Sequence, residues 1–137
     1  MIITNYFSAG GTFGNFDLTL LRNFKSILSG AVTAAVYKEV LSVTGAGVIS
    51  LAMGYSIDAT DRTIGLKIVI DGVTVFDAVT TSFAAVGRNI QAIGLIGETS
   101  LSPVLEPMVF TSSLSISLKS SLSETDKIAL ATIYRKT

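Results

Sequence analysis

The sequence predicts an all-β fold: an antiparallel β-sandwich, jelly-roll-like, of about eight strands, with one short N-terminal helix. Three observations carry that prediction. After Gly30 the apolar residues recur with a period of two, which is the alternation of a half-buried strand. The alternating segments are short and evenly spaced, with turn residues between them. Asp71-Gly72 separates two of them, and both residues tolerate the positive φ that a two-residue hairpin turn demands. At 137 residues, 49% of them hydrophobic, the chain has single-domain size and can bury a core without disulfides or metal.

Taken in order, residues 1–16 read as an N-terminal arm and residues 17–137 as one sandwich domain. The arm carries Tyr6, Phe7, Phe13 and Phe16, out of four Tyr and seven Phe in the chain, among Gly10, Gly11 and Gly14. Glycines let the backbone bend and aromatic rings gain by burial, so the segment has to dock. It lies either over its own domain or on a neighbouring subunit, where these four rings would form the assembly interface. Residues 17–29 read as the helix. Asp17 can cap the first turn, Leu18, Leu21, Phe24, Ile27 and Leu28 recur at helical spacing, and Gly30 suits a left-handed stop.

Strands are then expected over 37–43, 47–55, 62–70, 89–97, 104–110, 113–121 and 127–135, with a further one after Asp71-Gly72. In that hairpin a flush register would pair Ile70 with Val73, Ile68 with Val75 and Leu66 with Asp77. Val73 and Val75 would then lie on the core face, and Phe76 opposite Lys67 on the other. Residues 113–121 alternate strictly, with Leu114, Ile116 and Leu118 inward and Ser113, Ser115, Ser117 and Lys119 outward. Pro107 removes a ladder donor and marks 104–110 as an edge. Residues 80–88 read as a crossing loop and 123–126 as a turn.

Composition excludes most chemistries. There is no Cys and no His, so thiol catalysis, thiolate metal sites and the commonest general base are absent. Ten basic and ten acidic side chains cancel, which gives no electrostatic case for nucleic acid or an anionic membrane. Only 15% of residues are charged, and 16 serines and 15 threonines supply most of the polar surface. Mean hydropathy is +0.62, yet the 18 residues 40–57, which carry no charge, contain three glycines and read as two strands around a turn rather than a membrane span. The first cation is Arg22, so the start lacks the basic region of a signal peptide, and synthesis is expected in the cytoplasm.

The densest acidic cluster, 58–62 (DATDR), reads as a solvated turn or a two-ligand contribution to a calcium site, without the spacing of an EF-hand. A serine nucleophile would need a lysine base, and no suitable pair is evident. The chain is therefore expected not to be an enzyme, and no cofactor or metal is expected. With no Trp, a glycan platform would have to use Tyr37, Tyr55 and Tyr134; the alternative is that these rings close the core rim with their hydroxyls in water.

Residues 40–48 (VLSVTGAGV), 62–78 (RTIGLKIVIDGVTVFDA) and 122–127 (LSETDK) together resemble small structural proteins of tailed-bacteriophage virions. The resemblance covers about residues 40–135 in pieces and leaves the arm and helix outside. It implies a virion component, without a location on the particle; together with the low charge and the aromatic arm, the expectation is a non-enzymatic structural protein that self-associates and docks on capsid or tail as a decoration or accessory, with other virion proteins as partners. Low charge, many hydroxyls and an apolar excess suit a subunit held by burial in a symmetric array. The alternative of a different class is a host-recognition module at a tail tip that binds a surface glycan.

Overall fold

The computed structural model describes residues 24–80, 92–94 and 107–137. Eleven strands occur there: β1 (Phe24–Leu28), β2 (Ala31–Val32), β3 (Lys38–Thr44), β4 (Gly47–Ser56), β5 (Ile64–Ile70), β6 (Val73–Val79), β7 (Ala92–Gly94), β8 (Met108–Phe110), β9 (Ser113–Ser120), β10 (Glu124–Thr125) and β11 (Ile128–Lys136). All pairings are antiparallel. One sheet runs β1–β11–β4, with β7 and β8 both on the far side of β4; the other runs β3–β9–β5–β6; a β10–β2 ribbon stands apart. This is the predicted jelly-roll-like sandwich. No helix occurs among the described residues, and so none there is long and apolar enough to cross a membrane.

Strict alternation builds the core. In β9, Leu114, Ile116 and Leu118 are fully buried, and β5 sets Ile64, Leu66, Ile68 and Ile70 against them from the neighbouring strand. The opposite sheet contributes Ile49, Ala52, Ile128 and Leu130, and β8 adds Phe110. Each such large side chain taken out of water is worth roughly 1.5–3 kcal/mol, so these strands supply most of the driving force. Pro107 immediately precedes β8, which among the described residues pairs with β4 alone.

The helix expected over 17–29 is not what forms over its second half. Phe24–Leu28 is a strand, paired with β11 from Phe24↔Ile133 to Leu28↔Ala129. The apolar spacing of Phe24, Ile27 and Leu28 fits a helix, but the free edge of β11 offers a row of backbone partners, and non-local pairing overrides a weak local preference. Gly30 is left-handed at φ +67°, as a turn residue between β1 and β2 rather than a helix stop. The first half of that expectation, and the arm, lie outside the described residues.

The hairpin at Asp71-Gly72 forms with φ of +51° and +80°, as its turn chemistry requires. Its register is not the flush one. Ile70↔Val73 and Val69↔Thr74 pair as expected, then a bulge at Val75 shifts the ladder so that Ile68 faces Phe76 and Lys67 faces Asp77. Val73 and Val75, expected on the core face, are 64% and 44% exposed, and Phe76 packs on the core instead. The flush register would put the Asp77 carboxylate opposite Leu66 among apolar groups; one extra residue removes that cost and buries the larger ring instead.

Smaller differences follow. The turn expected at 123–126 contains the short β10, and β2, which pairs with it, had no alternating pattern to mark it. Of the strand expected at 89–97, residues 92–94 are described and extended; of the loop at 80–88, only Thr80 is described. Thr80 is buried, its N–H donating to the Ile64 carbonyl at 2.8 Å and its Oγ1 accepting the Ile64 N–H at 2.9 Å.

Candidate functional site

Carboxylates in this fold are used to tie loops to strands. The DATDR cluster encloses Arg62, which is 2% exposed. Its Nη2 meets Asp58 Oδ1 at 2.7 Å and its Nε meets Glu124 Oε1 at 2.9 Å, so the β4–β5 loop is joined to β10. Ser120 Oγ donates to the same Glu124 oxygen at 2.6 Å, and Lys127 lies 3.5 Å from Asp58 Oδ2. The bond from Arg62 is the first cause holding the Asp58 carboxyl below its ordinary range. The cluster is therefore neither a plain solvated turn nor an open cation site: its acids neutralise a buried guanidinium.

Asp71 makes a second tie. Its carboxylate accepts the backbone N–H groups of Thr111, Ser112 and Ser113 at 2.7–3.1 Å, and the hydroxyls of Thr111 and Ser112 at 2.9 Å. The β5–β6 hairpin is thus fastened to the β8–β9 turn. Those backbone amides, Ser113 first, hold the Asp71 carboxyl well below the usual carboxylate range. Asp126 accepts the Gly30 N–H at 2.8 Å, and Glu39 accepts the Ser115 hydroxyl.

Tyr37, Tyr55 and Tyr134 are placed apart. Tyr37 crosses the outer face of the β3–β9–β5–β6 sheet and donates to Asp77 Oδ1 at 2.5 Å, with Lys119 Nζ 4.3 Å from its ring centroid. Burial, and then the Asp77 bond, push its phenol upward. Gly65 lies beneath: a Cβ there would come within 3.0 Å of the Tyr37 hydroxyl and closer to the Lys119 chain, so the sheet is bare where the ring passes. Tyr55 lies on the outer face of the other sheet and shares a 2.7 Å hydrogen bond with Ser26 Oγ. Tyr134 sits on the inner side of β11, packed on the core, with Lys25 Nζ donating to its hydroxyl at 3.0 Å. The three do not form a common platform.

The surface with the most distinctive chemistry is the outer face of the β1–β11–β4 sheet. Register puts Phe24, Ser26 and Leu28 of β1 beside Ala129, Ala131 and Ile133 of β11 and Leu51, Met53 and Tyr55 of β4. None is charged. Phe24 and Leu28 are each 52% exposed, while Ala129 and Ala131, outside the core cluster, are covered where Tyr55 reaches across them to Ser26. The sequence hid the β1 part of this face because Phe24 and Leu28 also satisfied a helical stripe. On the other sheet, β6, which pairs with β5 alone among the described residues, has Val73, Val75 and Val79 exposed. Tyr6, Phe7, Phe13 and Phe16 lie outside the described residues.

No protein-family model matches the chain, and no curated protein matches it. Among solved structures, chains from infectious bursal disease virus are similar to it. The Gx strain structure has 13% identity and a TM-score of 0.36, covering 81% of this chain and 31% of that one. The Gt strain structure has 14% identity and a TM-score of 0.35, with the same coverage. The chain thus spans under a third of their length.

Proposed function

We propose that the chain is a non-enzymatic bacteriophage virion structural protein that self-associates and docks on the capsid or tail as a decoration or accessory component. The observation that carries this reading is the apolar stretch of the outer β1–β11–β4 face between Leu28, Ala129 and Tyr55 at one end and Phe24, Ile133 and Leu51 at the other, where Phe24 and Leu28 stand half exposed. Apolar surface gathered in that way is characteristic of a protein that meets another protein. The use of Asp58, Glu124, Asp71 and Asp126 as structural ties supports a scaffold rather than a reaction centre. The resemblance over residues 40–135 supports the virion setting, with assembly after synthesis in the host cytoplasm.

In this reading Tyr6, Phe7, Phe13 and Phe16 belong to the interface, and the partners are further copies and other virion proteins. Size-exclusion chromatography with light scattering tests it. An oligomer is expected, and deletion of residues 1–16 is expected to leave the sandwich folded by far-UV circular dichroism while weakening assembly. A clean monomer at high micromolar concentration overturns the proposal.

A further inference from the structure

We propose that Asp71-Gly72 is a latent isoaspartate site, and that the clasp made by Thr111, Ser112 and Ser113 keeps it in the aspartyl form. No other Asp or Asn in the sequence is followed by Gly. The reaction needs the next residue's amide nitrogen to reach the Asp side chain, and a side chain on that next residue obstructs the approach. At Gly72 even an added Cβ would meet nothing within 4 Å, so the surroundings of the turn give no cover. Asp71 itself is exposed and left-handed, at φ +51°. The inference concerns this hairpin and stands apart from the assembly reading.

In the first step the Gly72 nitrogen attacks Asp71 Cγ. The carboxyl hydroxyl leaves as water, taking up the amide proton, and a cyclic imide closes. Water then adds to the Asp71 main-chain carbonyl carbon, breaks its bond to the Gly72 nitrogen and leaves isoaspartate, with no co-reactant consumed. The departing group is a hydroxyl, so the neutral carboxyl reacts; the carboxylate would have to expel oxide. The fold opposes this chemistry twice. Asp71 Oδ1 accepts the Thr111, Ser112 and Ser113 amides at 3.1, 2.7 and 2.9 Å and the Ser112 hydroxyl at 2.9 Å. Oδ2 accepts the Thr111 amide and hydroxyl, each at 2.9 Å. Every one of these donors favours the charged form. Together they hold both oxygens, so Cγ cannot turn toward Gly72 without breaking them. The Asp71 N–H also donates to the Ser113 carbonyl at 2.9 Å, which pins its backbone to the same turn. Isomerisation would add a methylene to the main chain and carry the carboxylate off its donors, unfastening the β5–β6 hairpin from the β8–β9 turn.

The test ages the full chain in mildly acidic buffer and locates isoaspartate by electron-transfer fragmentation of its peptides. The folded chain is compared with the chain unfolded in guanidinium chloride and with a folded variant, Thr111→Val with Ser112→Ala, which lacks the two hydroxyl donors. Isoaspartate at position 71 is expected to accumulate at least about tenfold faster in the unfolded chain, since the loss of one charge-assisted hydrogen bond is alone worth about that factor. The folded variant is expected to fall between the two. Gly72→Ala is expected to slow the reaction in the unfolded chain, which ties it to this amide. Equal rates in the folded and unfolded chain overturn the proposal, as does isoaspartate gathering first at another aspartate. A variant with unchanged far-UV spectrum and Tm that isomerises as slowly as the parent overturns the assignment of protection to the clasp. Ser112→Ala alone takes its place if the double variant does not fold. The isomerised fraction, separated by chromatography, is expected to unfold at lower urea than the parent; an equal midpoint overturns the unfastening.

Discussion

The β6 bulge makes opposite demands on two adjacent residues. Phe76 faces Ile68 and packs on the core, whereas Val75 is the extra residue and is 44% exposed. A phenylalanine buries about 150–250 Å² when enclosed, so roughly half of that, at about 25 cal/mol/Å², gives ~2–3 kcal/mol for Phe76→Ala. Val75→Ala removes two methyl groups that are partly in water already, for about 0.5 kcal/mol. In a domain of this size 1 kcal/mol moves Tm by about 3–5 °C, which separates the two variants by roughly 5–12 °C. Thermal melts followed by circular dichroism, backed by urea titrations, measure both. If Val75→Ala costs as much as Phe76→Ala, the strand lies in the flush register and the bulge reasoning is wrong. Asp substitutions sharpen the contrast, because a carboxylate is tolerated at 75 and excluded at 76.

Further outcomes follow from the ties and turns. Gly72→Val is expected to cost on the order of 1–3 kcal/mol from backbone strain alone, since a Cβ there meets nothing within 4 Å but φ is +80°; an unchanged Tm refutes that. Arg62→Gln should cost about 3 kcal/mol in a urea titration at pH 7, because Glu124 is left largely buried without its cation; a loss under about 1 kcal/mol shows that the cluster is not buried as described. The Asp71 carboxyl is held below its ordinary value of 3.8, so the stability it contributes is present above about pH 4 and is lost as pH falls further. Urea midpoints between pH 5 and pH 2 should therefore fall less in Asp71→Asn than in the parent, and parallel curves would contradict the amide clasp. Tyr37 is shifted the other way, so its contribution is intact below pH 10 and declines as pH rises past it; Tyr37→Phe should flatten that alkaline limb.

Patterns that one strand writes by itself were legible. Leu114, Ile116 and Leu118 had to share a face because side chains alternate along any strand, and Asp71-Gly72 had to turn because few other pairs accept positive φ at both positions. From those local rules came the sandwich class, the central strands and most of the core. What tertiary structure decided are the features that depend on a distant partner. Phe24–Leu28 becomes a strand because β11, some hundred residues later, presents a free edge to it. The bulge at Val75 exists because β5 and the core beneath it favour Phe76 over Asp77. Arg62 is buried because Asp58 and Glu124 arrive from two separate turns, and Asp71 is a clasp because the β8–β9 turn aims three amides at it. Local periodicity records which residues gain by leaving water; which surface receives them, and which outer face is left apolar, is set by long-range pairing energies that a linear pattern does not contain.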